Sequence, residues 1–557
     1  MLLSNLNLLA QAPGGVARLR ELILTLAVQG KLVPQDPQDE PASELLKKIR
    51  AEKDRLIAEG KIKRDKPLTE IAEDEKPFEL PKGWEWVPLQ HIGYTQTGTT
   101  PDKKNPQMYG DGIPFIKPGD IYPNHVDYDN EALSQEGLND SGRIAPAGSL
   151  LMVCIGTIGK SNLIARDCSF NQQINSVTPL CCLPEYVKLY CRCPYFQGEV
   201  WARSSSTTIA ILNKGKWEAI PFALPPLAEQ SRIVTRVEEL MRLCDALEAK
   251  GRLEATQHAQ LVSTLLATLS ESETPAQLTE NWQRIATHFD LLLDRPEAVD
   301  ALEQTILQLA VRGLLVPQDP QDEPASELLK KIRAEKDKLI LEGKIKRDKL
   351  LPPIAADEQP FMLPTGWEWA RLEQLSMAIV DCPHSTPKFV ERGLLCLDTN
   401  SFKQGKLLPH KLRYVDESTF TERNARLIPE SGDLVFAREG SVGESILIPD
   451  GVEACLGQRV MLFRFSERVS KEFVQLAISS TSFLEALLAL HKGIGAKHVN
   501  VGDMRMAVVP LPPLAEQSRI ITRVAQLRRL CADLRQRLAA SQSTQAHLAE
   551  ALVENVA

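Results

Sequence analysis

The chain has no uninterrupted run of the roughly eighteen apolar residues that a helix needs to cross a bilayer. Its first residues, MLLSNLNLLAQAPGG, also lack the positively charged segment that opens a secretory signal. We therefore expect a cytoplasmic protein without membrane contact. The apolar share of 43% and the charged share of 25% are typical of globular soluble proteins, and 557 residues suffice for about three or four domains.

Motifs of common catalytic folds are missing as well. The sequence contains no GxxxxGK[ST] loop for a nucleotide, no GxGxxG that opens a βαβ unit, and no Asn-Pro-Pro-aromatic tetrapeptide of the amino-methyltransferase kind. We expect that this chain carries out no catalysis alone and needs no cofactor.

Paired CxxC spacing is absent too, although the chain has eleven cysteines. The densest group forms a CC and a CxC motif and has no counterpart in the second half of the chain: Cys181, Cys182, Cys191 and Cys193. This spacing does not favour zinc, so we expect no bound metal. Cys244 and Cys531 occupy equivalent positions of two apolar helices, which indicates reduced thiols packed as small hydrophobic groups.

The chain also lacks an excess of positive charge, since its formal net charge is −8. Proteins that bind nucleic acid normally carry a basic surface that supplies affinity for phosphates. Two interpretations remain open. Either DNA is not the ligand, or this chain reads the sequence while partner subunits supply much of the phosphate binding.

Two blocks of the sequence occur twice. LVPQDPQDEPASELLKKIRAEKD runs from Leu32 to Asp54 and again from Leu315 to Asp337, and LPPLAEQSRI runs from Leu224 to Ile233 and again from Leu511 to Ile520. Between these blocks the halves share apolar and glycine positions but few other letters. The chain is therefore two tandem copies of one plan with different inserts. Such a molecule suits the reading of two different targets at two related places.

Each copy opens with two short helices. Helical apolar spacing predicts helices over 16–28 and 43–59 in the first copy, and over 301–311 and 326–342 in the second. Charged, proline-bearing segments at 61–81 and 344–364 then indicate linkers, and each linker ends in a GWEW motif whose alternation predicts a strand.

Short β-like runs with Gly, Pro and Asn turns follow in each copy and predict compact α+β domains. The expected order is a helical region with linker at 1–81, a variable domain at 82–222, a central region at 223–364, a second variable domain at 365–511 and a final helix at 512–557. We expect the two variable domains to be related by a pseudo-two-fold axis.

Each copy closes with a long helix whose apolar residues recur at alternating intervals of four and three. These positions form two matching seams: Ile233, Val237, Leu240, Cys244, Leu247, and Ile520, Val524, Leu527, Cys531, Leu534. An a/d pattern needs a partner helix, so the seams are predicted to pair with each other as an antiparallel coiled coil that spaces the variable domains. Packing of each helix on its own domain is the alternative.

Together, the GWEW openings, the paired LPPLAEQSRI segments and the long helices resemble the specificity (S) subunit of type I restriction-modification systems. The resemblance covers nearly the whole chain. It implies a non-catalytic subunit with two target recognition domains, each of which reads one half of a bipartite double-stranded DNA site. It also implies that the repeated helices hold the spacing and dock DNA methyltransferase (M) subunits, expected to be two, and restriction/translocase (R) subunits.

Base edges are read by Arg or Lys on guanine, Asn or Gln on adenine, and Glu or Asp on cytosine. In the first variable domain the candidate readers are Lys160, Asn171, Gln172, Gln173 and Asn175. The four amides are hard to bury without partners, so a structural turn network is the alternative for them.

Lys160 follows a glycine loop that aligns with Gly440 to Glu444, where the lysine is replaced by a glutamate. At most one of these two charged side chains therefore contacts phosphate. The glycines indicate either close approach to a phosphate or a plain hairpin turn.

In the second variable domain the candidates are His384, Lys388, Arg438, Gln458, Arg459, Lys497 and His498. A solvated charge is the alternative for each. Asn213 and Asn500 recur in both copies, so we expect them to hold a turn rather than read a base.

The tryptophans of the two GWEW motifs recur as well, which favours packing over base stacking. The KKIRAEK segments, Lys47 to Lys53 and Lys330 to Lys336, indicate solvated helix faces with i,i+4 ion pairs. A phosphate-facing or docking surface is the alternative for them. A second function stays open, a coiled-coil scaffold whose variable domains bind proteins and not DNA.

Overall fold

The structure, a computed structural model, describes residues 9, 12–68, 71–205, 209–347, 351–489 and 499–554. It divides into two compact units. Unit 1 comprises Met1–Glu254 with Gln542–Ala557, and unit 2 comprises Ala255–Ser541. Both units combine helices with mostly antiparallel sheets, which confirms the α+β class.

Unit 1 contains the first variable domain between repeated helices. Its helices are α1 (Gly15–Val28), α2 (Ala42–Ala58), α3 (Gln135–Ser141), α4 (Pro184–Arg192), α5 (Pro194–Ala202), α6 (Lys214–Glu218) and the first part of α7 (Leu227–Ser270). Its strands are β1 (Glu85–Pro88), β2 (Gly93–Thr97), β3 (Tyr109–Ile116), β4 (Ala132–Leu133), β5 (Leu150–Val153), β6 (Ser161–Leu163), β7 (Ser169–Phe170), β8 (Ile174–Pro179) and β9 (Pro221–Leu224).

Unit 2 repeats this plan. Its helices are α8 (Pro275–Thr287), α9 (Phe289–Leu292), α10 (Pro296–Val311), α11 (Ala325–Leu341), α12 (Leu372–Leu375), α13 (Glu417–Arg423), α14 (Lys471–Ile478), α15 (Thr481–Ala489), α16 (Val501–Met506) and most of α17 (Leu514–Glu554). Its strands are β10 (Glu368–Arg371), β11 (Ser376–Asp381), β12 (Phe389–Val390), β13 (Leu394–Leu397), β14 (Phe402–Lys403), β15 (Lys406–Leu407), β16 (Arg413–Val415), β17 (Leu434–Ala437), β18 (Ser445–Leu447), β19 (Ala454–Leu456), β20 (Val460–Phe465) and β21 (Val508–Leu511).

The variable regions of the two units share one sheet topology. Unit 1 has a four-stranded antiparallel sheet of order β2-β8-β5-β6, and unit 2 has the same sheet as β11-β20-β17-β18. Beside it, β3 pairs with β7 in unit 1 and β13 pairs with β19 in unit 2, both in parallel. The two inserts are therefore one fold with two different surfaces, as the shared apolar positions predict.

The repeated motifs at the two ends of each variable region form a two-stranded antiparallel sheet, which we call the closure of the unit. The GWEW strand β1 pairs antiparallel with β9, which leads into LPPLAEQ, and β10 pairs with β21 in the same way. The limits predicted for the variable domains, 82–222 and 365–511, stay predictions, and this pairing of their ends supports them.

The same closure holds a buried glutamate in each unit. Glu229 is 1% exposed and accepts hydrogen bonds from Trp84 Nε1 at 2.9 Å and from Gln35 Nε2 at 3.2 Å. Glu516 is 1% exposed and accepts the corresponding bonds from Trp367 at 3.0 Å and Gln318 at 3.2 Å.

The three repeated motifs, VPQDP, GWEW and LAEQ, thus meet at one point in each unit. Burial raises the pKa of both carboxyl groups, while the Trp and Gln donors act in the opposite direction.

Each long helix contributes residues to both units. α7 begins in unit 1 and ends in unit 2, whereas α17 begins in unit 2 and ends in unit 1. All ten predicted seam positions are buried or half-buried: Ile233, Val237, Leu240, Cys244, Leu247, Ile520, Val524, Leu527, Cys531 and Leu534. This burial fits the apolar seams, and the role of these residues in a coiled coil stays a prediction.

The short repeated helices cover part of each seam, which fits the alternative that each long helix packs on its own domain. In unit 1 the seam joins the core that includes α1, and Arg20 of α1 lies 2.5 Å from Asp245 and 2.9 Å from Glu248. In unit 2 the seam joins the core that includes α10, and Arg535 lies 2.7 Å from Asp300. Pairing of the two seams with each other stays a prediction.

The KKIRAEK helices are less solvated than expected. Lys47 and Lys330 form exposed ion pairs with the glutamates three residues before them. Lys53, however, donates to Gln90 O at 2.9 Å, and the buried Lys336 donates to Glu373 O at 2.7 Å. The last lysine of each motif therefore anchors α2 or α11 to the start of its variable region.

Candidate functional site

Several loops of each variable region meet at one edge of the four-stranded sheet. In unit 1 the segment after β5 is tied to the segment before β8 by Cys154 N, which donates to Gln173 O at 2.7 Å. Leu212 N donates to Cys154 O at 2.8 Å and brings in the segment before α6. We call this set of loops, residues 98–104, 154–160, 171–173 and 209–213, the loop surface of unit 1.

Unit 2 forms the same loop surface with other residues. Arg438 N donates to Arg459 O at 2.9 Å, and Val499 N donates to Arg438 O at 3.0 Å. These two bonds make Arg438 the structural equivalent of Cys154. The loop surface of unit 2 comprises the described residues 382–388, 438–444, 457–459 and 499–500.

The amide run in unit 1 is mostly engaged within the protein. Asn171 is buried, donates to Gln173 Oε1 at 3.0 Å and accepts from Gln173 N at 3.1 Å. Asn175 is buried, accepts from Thr97 Oγ1 at 2.8 Å and donates to Cys154 Sγ at 3.2 Å. These contacts favour the turn network for both asparagines.

Two amides of the run lie nearer to solvent. Gln172 is exposed, and its Oε1 accepts from Thr100 Oγ1. Gln173 is half-buried. Gln172 is therefore the amide of the run with the freest access to a ligand. Contact between any of the four amides and DNA stays a prediction.

The glycine loops are tight turns packed on helices. Gly159 and Gly443 have φ values of +86° and +100°. A Cβ on Gly159 would lie 2.2 Å from Gln197 Oε1, and one on Gly443 would lie 2.7 Å from Leu484 Cδ2. Because left-handed backbone and close packing both require glycine here, the plain turn accounts for these two positions.

The charged residues that end these loops bind different partners. Lys160 Nζ donates to Pro118 O at 2.9 Å and lies 5.3 Å from the ring centre of Tyr122. Glu444, its counterpart, accepts from Gln404 N at 2.6 Å through Oε2. The replacement of lysine by glutamate therefore changes a local anchor, since a backbone N–H needs an acceptor and a carbonyl needs a donor.

An ionic cluster occupies the centre of the unit 2 surface. Arg438 is 4% exposed, and its Nε lies 3.3 Å from Asp381 Oδ1. Its NH2 group lies 3.2 Å from His384 Nδ1, while the His384 side chain is 70% exposed. Arg438 is thus positioned to hold His384 at the surface.

Two further candidates of unit 2 contact residues of this cluster. Gln458 Nε2 donates to His384 O and to Thr386 Oγ1, both at 3.0 Å. Arg459 has a φ of +64°, and its exposed side chain places Nε 3.3 Å from Glu439 Oε2. Lys388 is exposed. Lys497 and His498 lie outside the described residues.

The recurring asparagines hold turns, as predicted. Asn213 Oδ1 accepts from Lys216 N at 2.9 Å and caps α6, and Asn500 Oδ1 accepts from Asp503 N at 2.9 Å and caps α16. The tryptophans are packed: Trp84 and Trp367 are each 5% exposed.

Within the described ranges, no group of three or more His, Cys, Asp or Glu side chains could hold a metal ion. Cys191 and Cys193 are fully buried, and burial raises the pKa of the Cys193 thiol to about 12, so this thiol stays protonated near neutral pH. No helix in the described part of the chain is long and apolar enough to cross a membrane.

Sequence reasoning missed a hairpin beside each glycine loop. Its tip is Tyr122 to His125 in unit 1 and Lys403 to Lys406 in unit 2. The turn pairs Pro-Asn and Gln-Gly were the available signals. They mark the turns but do not reveal that both tips adjoin the loop surface.

Comparisons with known proteins agree on one family. The family described as type I restriction modification DNA specificity domain matches residues 81–257 and 402–541. The chain is 37% identical to the type I restriction enzyme EcoAI specificity subunit of Escherichia coli, over 97% of this chain and 93% of that protein. It is 36% identical to the EcoEI specificity subunit of Escherichia coli over the same shares.

Two solved structures are similar at lower identity. One, from a study of complex assembly and conformational transition of the type I R-M system, is 18% identical, covers 86% of this chain and 99% of its own, and has a TM-score of 0.45. The HsdS subunit from Thermoanaerobacter tengcongensis is 18% identical, covers 86% of this chain and 98% of its own, and has a TM-score of 0.37.

Proposed function

The chain belongs to the family of type I restriction-modification DNA specificity subunits, and from this premise we propose how its two units divide the reading of DNA. The chain is the DNA-recognition subunit of such a system and not its catalytic component. Unit 1 reads one half of a bipartite double-stranded target through its loop surface, and unit 2 reads the other half through its own.

One observation supports this division. The two loop surfaces share the same backbone hydrogen bonds but present different side chains. Cys154 and Arg438 occupy the same hydrogen-bonded position, as do Gln173 and Arg459. Direct readout depends on donors and acceptors presented at fixed places in a groove. A constant frame with different donors is what two unlike half-sites require.

The exposed candidates are the ones that we propose for direct contact. In unit 1 this is Gln172, to which we add the half-buried Lys160 at the end of the glycine loop. In unit 2 they are His384, Lys388 and Arg459, with Gln458 positioning the His384 loop. Arg438 acts as a positioning residue because its guanidinium is buried against Asp381. The amides Asn171, Gln173 and Asn175 are proposed only as neighbours of the contact surface, and contact of Lys497 and His498 with DNA stays a prediction.

The excess of acidic residues indicates that partner subunits contribute part of the affinity for DNA. A protein with a net charge of −8 has a weak attraction for DNA phosphates at long range. We propose that methyltransferase subunits and restriction subunits assemble on the repeated helices and supply further phosphate contacts. Because the helical frame occurs twice, two methyltransferase subunits are expected.

The test compares the lone chain with the assembled complex on a library of double-stranded DNA. The complex should protect two short tracts separated by a constant unread gap, and its affinity should fall steeply with salt. The lone chain should bind weakly. Tight, unselective binding by the lone chain would contradict the proposed role of the charge. A complex without sequence preference at any salt concentration would instead indicate the protein-binding scaffold.

A further inference from the structure

Each unit carries a short hairpin at an equivalent place. In unit 1, Ile121 bridges to Val126, and Tyr122 N donates to His125 O at 2.9 Å. In unit 2, Phe402 pairs with Leu407, and Lys403 pairs with Lys406. We name these segments, 121–126 and 402–407, the tip hairpins.

The backbone establishes that the two tip hairpins are equivalent. Asn171 N donates to Ile116 O at 3.0 Å in unit 1, and Gly457 N donates to Leu397 O at 2.7 Å in unit 2. The chain then takes the same number of residues to reach Ile121 from Ile116 as to reach Phe402 from Leu397. Tyr122 therefore corresponds to Lys403, and His125 corresponds to Lys406.

Both tip hairpins adjoin the loop surface of their unit. In unit 1 the contact is made by Lys160, which donates to Pro118 O and lies over Tyr122. In unit 2 Glu444 accepts from Gln404 N, and Ser441 Oγ donates to Thr399 O at 3.3 Å. A duplex that contacts the loop surface thus has the tip hairpin at its side.

Buried and half-buried side chains hold the tip hairpin of unit 1 in place. Ile121 is 0% exposed, and the buried Asn162 donates to Tyr122 O at 2.8 Å. Arg192 donates to Pro123 O at 2.5 Å. Because these contacts order the hairpin before any ligand arrives, little entropy is lost when it binds.

The tip hairpin of unit 2 is held by its turn. Gln404 and Gly405 have φ values of +49° and +73°, so both central residues lie in the left-handed region that a type I′ hairpin turn requires. Phe402 is 2% exposed and fixes the base of the hairpin in the core.

The two tips offer different chemistry. Lys403 and Lys406 are exposed, face each other across the hairpin, and have no carboxylate within ion-pair distance among the residues that the structure describes. Like charges at directly paired positions destabilise a hairpin, and a bound anion would relieve this repulsion. In unit 1 the same positions carry an exposed aromatic pair, since the Tyr122 ring stacks on His125 with centres 4.7 Å apart and planes 7° apart.

We propose that both tip hairpins contact the DNA beside the half-sites, with unlike chemistry. Lys403 and Lys406 bind backbone phosphates next to the half-site of unit 2. Tyr122 and His125 pack their rings against sugars and base edges next to the half-site of unit 1. The inference rests on the proposed function and adds contact residues to it.

The experiment measures the affinity of the assembled complex for its target DNA over a range of salt concentrations. The double variant Lys403→Ala/Lys406→Ala should lower the slope of log affinity against log salt by about two, because each phosphate contact contributes roughly 0.9. Lys403→Arg/Lys406→Arg should restore the slope. Lys344→Ala/Lys346→Ala removes the same charge from two exposed positions outside both the loop surface and the repeated helices, and should leave the slope unchanged.

Substitutions in the tip hairpin of unit 1 should change the affinity but not the salt slope. Tyr122→Ala/His125→Ala should weaken binding about ten-fold, as expected for the loss of ring packing against nucleotides, with no change in salt slope. Melting temperature and subunit content of each complex establish that the variants are folded and assembled.

The outcomes separate this inference from the function on which it rests. Selective binding of the bipartite target by every variant with unchanged slope and affinity would refute the tip contacts and leave the proposed function standing. Loss of partner subunits without loss of DNA affinity would make the hairpins protein-docking elements and would also refute the inference. Absence of any sequence preference in the unaltered complex would refute the proposed function itself.

Discussion

Replacement of Trp84 by phenylalanine tests the junction that closes unit 1. The indole Nε1 donates at 2.9 Å to Glu229, whose side chain is buried. The variant removes this donor and leaves the carboxylate with the more exposed Gln35 as its remaining side-chain donor. A hydrogen bond to a charged group contributes about 1.5–3 kcal/mol and one to a neutral group about 0.5–1.5 kcal/mol.

The sign of the pH dependence follows from the pKa of Glu229. Burial raises this pKa, so the carboxyl group contributes stability below its ordinary pKa that is lost as pH rises through the folded-state pKa. The Trp84 bond opposes the rise, and its removal raises the folded-state pKa further. The loss in free energy of unfolding caused by Trp84→Phe should therefore grow as pH increases above the ordinary pKa of glutamate.

The assay is urea unfolding followed by circular dichroism at about pH 4 and about pH 8, one below and one well above the ordinary glutamate pKa. Trp367→Phe is the internal repeat, because its indole donates to the equally buried Glu516 at 3.0 Å, and it should show the same deficit. Trp86→Phe is the control: the structure gives its indole N–H no hydrogen bond among the described residues, so its deficit should not vary with pH.

An equal loss in free energy of unfolding for Trp84→Phe at both pH values would refute the reasoning, because the indole would then have no effect on the ionisation of Glu229. A large difference between the Trp84 and Trp367 variants would contradict the equivalence of the two junctions.

Two further predictions concern the loop surfaces. Asn213→Ala and Asn500→Ala should each reduce the free energy of unfolding by about 1 kcal/mol through loss of a helix cap, without changing the DNA sequence that the complex methylates; a changed sequence would make these residues readers. Arg438→Met should destabilise the protein by about 3 kcal/mol in urea unfolding, because it leaves Asp381 without its buried guanidinium partner, whereas Cys154→Ala at the equivalent position should have a much smaller effect. Similar losses for the two variants would contradict the ionic role of Arg438.

Local signals predicted the repeated frame closely. The expected helices at 16–28 and 43–59 correspond to Gly15–Val28 and Ala42–Ala58. The glycine after the first helix, Gly30, has the left-handed φ of +69° that such a C-terminal position needs. In the second copy the helix begins at Pro296, earlier than the expected residue 301, because a proline can occupy the first turn of a helix.

Long-range packing lay beyond local signals. The spacing marked an apolar seam on each long helix but could not name what covers it. The last turns of α17 pack in unit 1, where Ala549 is fully buried and Arg18 lies 3.4 Å from Glu550. Nothing in the letters around Ala549 connects them to a helix more than 500 residues earlier.

For the candidate site, too, the local sequence predicted the loop but not the contacts of its side chains. The run of amides marked the right loop, but its letters could not tell the exposed Gln172 from the buried Asn175, which hydrogen-bonds Thr97 on a neighbouring strand. The opposite charges at Lys160 and Glu444 were read from the aligned loops. Their partners, a carbonyl in one unit and an N–H in the other, depend on the tip hairpins and needed coordinates.

The most direct test of the account exchanges residues 82–222 for the corresponding segment of another specificity subunit. The bases recognised by the assembled methyltransferase are then determined by methylation sequencing. We expect one half of the methylated target to change, while the other half and the unread gap stay as they were. A change in both halves, or in neither, would contradict the assignment of one half-site to each unit.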